Sequence, residues 1–185
     1  MPLIPYFNKP VSRNVQTTAI FMIMKYCFSL LLMLPFFSRA QDCHLKTSKD
    51  PYTKEIKIST GFISLTGSQL SVEATKSEID FMFSLEGGKC FDDASTASVF
   101  YEGTRLKTNF KNSGTMNCDG LFHFTFRNTN PSPSALQNLA IKKISSIRFK
   151  DNTKKETGVT LTSEQQQMLM NLTNCIITEA KKLLQ

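Results

Sequence analysis

Tryptophan is absent from this chain, and histidine occurs only twice, at His44 and His123. With two histidines and no H-x-x-x-H spacing, a zinc enzyme site would need carboxylates drawn from distant loops. No C-x-x-C pair is present, which removes support for a zinc ribbon or a thioredoxin-type redox site. The G-x-S-x-G elbow, the phosphate-binding loop and the dinucleotide fingerprint are missing too. Asp92 and Asp93 are adjacent acids, but no D-x-D-x-D-G array surrounds them. A solvated turn is therefore a plainer reading than a calcium site. No cofactor is expected, and no catalytic constellation is visible.

What is present begins with "MKYCFSLLLMLPFFSRAQ", Met24 to Gln41. Lys25 precedes an apolar run from Tyr26 to Phe37, and Ser38-Arg39-Ala40 follows as a small-x-small pattern. That is the layout of a secretory signal. A bilayer core needs roughly 20 apolar residues in helical form, more than this run supplies. Extending the stretch back to Ala19 encloses Lys25, where a charge costs roughly 2.5–3.5 kcal/mol near the centre. Cleavage after Ala40 is expected, with a retained anchor as the alternative. Residues 1–40 thus read as a signal peptide. Within it, Met1–Ile23 is either a long n-region or an extension upstream of a start at Met22 or Met24. Residues 41–185 read as a single exported domain, periplasmic or secreted, that meets the membrane only through its export signal.

Charge and cysteine content follow from that division. The whole chain carries +7, but Lys9, Arg13, Lys25 and Arg39 leave with the signal and no acid does. The remainder holds 18 basic and 15 acidic residues, an ordinary solubility charge and not a nucleic-acid footprint. Cys27 also leaves, so Cys43, Cys90, Cys118 and Cys175 remain. An even number in a small exported domain favours two disulfides. Three connectivities are open. A hairpin turning near Gly103 would bring Cys90 and Cys118 to one open end, and Cys43 and Cys175 would then pair by elimination.

Up to the Pro-containing break at Arg127–Ala135 the pattern has period two. In "EIDFMFSLE", Ile79, Phe81, Phe83 and Leu85 share one face, with Glu78, Asp80, Ser84 and Glu86 opposite. "QLSVEAT" and "GLFHFTF" alternate in the same way. "SVFYEGTRLKTNF" reads as a hairpin, and "KEIKIS" and "GFISLTG" as two shorter strands. After the break, Ser134–Ala140 suggests a short helix, followed by strands through "KISSIRFK" and "TGVTL". Ser163 to Leu183 then shows apolar residues at three- and four-residue spacing, with Thr162 or Ser163 as cap and Gln165 or Gln166 completing a capping box. The fold class expected is α+β: an antiparallel meander sheet or small β-sandwich packed by one long C-terminal helix.

Three features together resemble a loose group of small exported bacterial proteins. They are "DPYTKE" from Asp50 to Glu55, several strands with a Gly-containing hairpin, and a terminal helix carrying Leu172 to Cys175. The resemblance implies export and a single domain, and brings no activity with it.

His123 lies on the strand face opposite Phe122, Phe124 and Phe126, where it is either an exposed or hydrogen-bonded strand residue or a general base. The Phe-rich, Trp-free composition reads as core before it reads as an apolar groove. The leading functional expectation is a non-enzymatic domain that binds an envelope protein or supports the envelope. The alternatives are a hydrolase using His123 with loop carboxylates such as Asp92 or Asp93, and a carrier for a small apolar ligand.

Overall fold

The computed structural model describes residues 43–185. The export signal expected at residues 1–40 lies outside them. In chain order the elements are β1 (Lys46–Lys49), β2 (Ile56–Leu65), β3 (Ser68–Ala74), β4 (Glu78–Leu85), β5 (Thr96–Tyr101), β6 (Lys107–Lys111), β7 (Leu121–Arg127), α1 (Ser134–Ile141), β8 (Ile144–Lys150), β9 (Glu156–Thr160) and α2 (Ser163–Lys182). Two antiparallel sheets result, one ordered β1-β2-β3-β4-β7 and the other β6-β5-β8-β9. The first four strands form a meander. The chain then builds the β5–β6 hairpin of the second sheet and returns through β7. The expected α+β class and the long terminal helix are both present.

The alternating strands place their apolar residues between the sheets. Phe81, Phe83, Phe122 and Phe124 from the five-stranded sheet are buried, as are Val99, Ile147 and Phe149 from the other. Phe149 lies with its ring centroid 5.4 Å from Phe83 and 5.2 Å from Phe122, so the two sheets meet face to face through aromatic contacts. Helix α2 closes the arrangement with Leu169, Ile176 and Ala180, all buried. Its first turn is fixed by reciprocal capping bonds. The Gln165 N–H donates to Thr162 Oγ1 at 3.2 Å, and the Thr162 N–H donates to Gln165 Oε1 at 3.1 Å. Buried Asn128 joins three elements. Its Nδ2 donates to the Thr75 carbonyl at 3.0 Å and to the Ala180 carbonyl, near the end of α2, at 2.8 Å.

Two details differ from the sequence reading. "KEIKIS" and "GFISLTG" form one strand, β2, because Gly61 at φ 67° absorbs an irregularity between Ser59 and Phe62 without ending the pairing. Strand β1 was not anticipated. Its four residues, Lys-Thr-Ser-Lys, are all exposed and carry no alternation to read.

Two disulfides span the domain. Phe91 and Asn117 exchange N–H···O bonds of 2.8 and 2.9 Å, extending the antiparallel path beyond the β5–β6 hairpin. The next opposed pair falls in a non-hydrogen-bonded position, where Cα atoms approach more closely. Cys90 and Cys118 occupy it, bonded, with Cα atoms 3.9 Å apart. Cys43 is bonded to Cys175 of α2, with a Cα separation of 5.9 Å.

Candidate functional site

Strands β4 and β7 pair with Asp80 opposite Thr125 and Met82 opposite His123. These four residues lie on the outer face of the five-stranded sheet, because their neighbours Phe81, Phe83, Phe122 and Phe124 point inward. The diagonal from β7 to β4 brings His123 Nδ1 to 2.7 Å from Asp80 Oδ2. The other carboxylate oxygen, Oδ1, accepts from Thr125 Oγ1 at 2.9 Å. Ser113 Oγ lies 2.6 Å from Thr125 Oγ1 and 3.1 Å from the His123 carbonyl, two acceptors that share its single proton. The His123 N–H donates to Asn112 Oδ1 at 2.9 Å. Gly114 sits against the ring, so close that a Cβ there would lie 2.6 Å from His123 Cδ2. The loop after β6 therefore exists in a form that only a residue without a side chain permits beside this imidazole.

Electrostatics extends the site across β3. Glu73 stands directly opposite Asp80, and like charges in that position repel. The repulsion is relieved from both ends, since Lys57 forms an ion pair with Glu73 and His123 bonds Asp80. The histidine pKa is raised, chiefly by the hydrogen bond to Asp80, with the charges of Asp80 and Glu73 adding to it and partial burial opposing it. A carboxylate can only accept, so Nδ1 carries the proton shared with Asp80. In the neutral ring this leaves Nε2 as an acceptor, as a general base requires. Among the described residues, however, no hydroxyl is bonded to Nε2. The hydroxyl of Thr125 is bonded to Asp80, and that of Ser113 to Thr125 and the His123 carbonyl.

A pH dependence follows. The folded-state pKa of His123 is raised from the ordinary 6.5, so the imidazolium–carboxylate bond stabilises the fold fully below that value. The contribution is lost as pH rises through the raised folded-state pKa. The melting temperature of the native chain should therefore fall from weakly acidic to weakly alkaline pH, and His123→Gln or Asp80→Asn should flatten that fall. An Asp80→Asn profile as steep as the native one would exclude the pair as its origin. Loss of the same bond should make His123→Ala destabilising by about 1 kcal/mol, as for a partly exposed charged hydrogen bond.

The other sequence candidates are not brought to this site. Asp92 Oδ1 accepts from the Ala94 N–H at 3.0 Å, the Ser95 N–H at 2.9 Å and Ser95 Oγ at 2.8 Å, an engaged turn acid and not an open ligand. Asp93 is exposed beside it. The link to His123 runs through Asn112, whose Nδ2 donates to the Asp92 carbonyl at 3.1 Å, and does not use the Asp92 carboxylate. The acid that His123 does meet, Asp80, comes from a strand and not from a loop. Among the described residues no group of three or more His, Cys, Asp or Glu side chains could hold a metal ion. His44 lies beside Cys43 at the start of the described chain, and the four cysteines are bonded in pairs.

An apolar cavity lies between sheets and helices, lined by residues that include Phe81, Phe83, Phe124, Leu139 and Leu169. Its volume is about 10 Å³, room for about one water-sized sphere. Phe100 and Phe62 depart from the core role. Phe100 lies on the outer face of the four-stranded sheet beneath the Arg148 guanidinium, 5.0 Å from its ring centroid, and Phe62 is 63% exposed.

Fold and site together define a small, disulfide-stabilised α+β domain. No protein-family model matches the chain, and neither curated proteins nor solved structures show a significant similarity to it.

Proposed function

We propose that this chain is an exported domain that binds a component of the cell envelope without transforming it. The observation supporting this most directly is how His123, the strongest catalytic candidate, is used. Its Nδ1 is bonded to Asp80, the Thr125 hydroxyl bonds the same carboxylate, and Asn112 and Ser113 hold the His123 backbone, so the group works as a lock between β4, β7 and the loop after β6. The two disulfides suit an oxidising compartment. The hydrolase alternative retains one favourable feature, the Asp80–His123 pair itself, with Asp80 in the place expected for a loop carboxylate.

The test is sedimentation of the exported protein with envelopes isolated from its native host. Saturable binding that His123→Gln leaves intact is expected. Absence of saturable binding would sink the reading. So would a host substrate whose conversion falls by about 100-fold or more in that variant, the loss expected for a general base.

A further inference from the structure

Charge is unevenly divided over the domain. Between residues 94 and 150 eight cations stand against two acids, Glu102 and Asp119, whereas the rest of residues 41–185 is net acidic. This stretch supplies β5, β6 and β8, three of the four strands of the second sheet. At one end of that sheet two loops come together. Tyr101 pairs with Ile144 and Phe100 with Lys107, so the β5–β6 turn and the segment between α1 and β8 lie side by side. The Glu102 N–H donates to the Lys143 carbonyl at 2.9 Å and fixes their adjacency.

That end carries Arg105, Lys107, Lys142 and Lys143. Glu102 answers only Lys143, across 3.9 Å, and Lys142 lies over the Tyr101 ring at 5.4 Å from its centroid. In the same two segments are two exposed large apolar side chains, Leu106 at 59% and Ile141 at 68%. Cations alone would suit any polyanion. Cations beside exposed aliphatic groups suit a leaflet of anionic phospholipid, where headgroups meet the ammonium and guanidinium groups and the apolar side chains enter the acyl boundary. No helix among the described residues is long and apolar enough to cross a membrane, and a peripheral contact needs none.

We infer that the loop end of the four-stranded sheet, centred on Leu106 and Ile141, is a docking surface for anionic lipid. This deepens the envelope-binding reading and rests on it. The exported protein is mixed with phosphatidylcholine vesicles containing about 30% phosphatidylglycerol, and with vesicles of phosphatidylcholine alone. Binding at least about tenfold tighter to the anionic vesicles is expected, weakening about tenfold between about 50 and about 300 mM salt. Lys142→Glu with Lys143→Glu should weaken it by about 30-fold, and Leu106→Ser with Ile141→Ser by about fivefold. Tyr52→Ser, 91% exposed but outside this surface, should leave it unchanged. Equal binding to both vesicle types, or no loss in the lysine pair, overturns the inference. An unaffected Leu106/Ile141 pair overturns it in favour of a soluble polyanion. Saturable binding to host envelopes without vesicle binding leaves the envelope reading standing and removes only the lipid.

Discussion

Replacing Cys43 and Cys175 together with alanine should lower the stability of the oxidised domain by roughly 5 kcal/mol. The bond joins residues 132 apart in sequence, and cross-linking so long a segment removes a large share of the conformational freedom of the unfolded chain. For Cys90 and Cys118, 28 residues apart, the same reasoning gives roughly 3.5 kcal/mol. Domains of this size are stable by only about 5–15 kcal/mol, so the longer bridge accounts for much of the margin. Urea unfolding of the two double variants, without reductant, measures both. A smaller loss for the Cys43/Cys175 variant than for the Cys90/Cys118 variant would contradict the loop-length argument.

Phe124→Ala should cost about 4 kcal/mol, the upper range for an aromatic truncated inside a packed core. Its ring is stacked on Phe110 at 4.5 Å and contacts Phe83 at 5.1 Å and Phe122 at 5.4 Å, so its removal opens a void that several rigid neighbours cannot close. The site also borders the existing cavity, which the truncation would enlarge. Phe62→Ala, on the outer face of β2, should change stability by no more than about 0.5 kcal/mol. Equal losses for the two substitutions, measured by thermal or urea unfolding, would mean that the ring cluster does not carry the core.

The contrast between those two phenylalanines marks how far the sequence could be read. Strict alternation in β4 and β7 assigned Phe81, Phe83, Phe122 and Phe124 to the core, because a period of two leaves each residue only one face to occupy. The capping box of α2 was equally legible, since its bonds connect residues three apart. Phe62 escaped, because Gly61 shifts the pleat by an irregularity that no alternation announces. The Asp80–His123 pair escaped for a different reason. Each residue was visible on the polar face of its own strand, but they are 43 residues apart, and the pairing of β4 with β7 instead of the intervening β5 is a property of topology. Register decides contact across a sheet, and register is fixed by the whole core at once. Asn112, which accepts from the His123 backbone N–H, and Gly114, which lies against the imidazole, look like ordinary turn residues in sequence.

The two bridges also impose an order on biosynthesis. A chain entering an oxidising compartment N-terminus first presents Cys43, then Cys90, then Cys118, and Cys175 last. The partner of the first thiol is thus the last to arrive, and two thiols that belong to each other pass by in the meantime. Oxidation in order of appearance would join Cys43 to Cys90 and strand the other two, so the nested pattern requires either that Cys43 wait as a thiol or that a mixed pair be undone by thiolate attack. By the second route, maturation of this domain depends on disulfide exchange as well as on oxidation, and its yield should then follow the isomerase activity available to it.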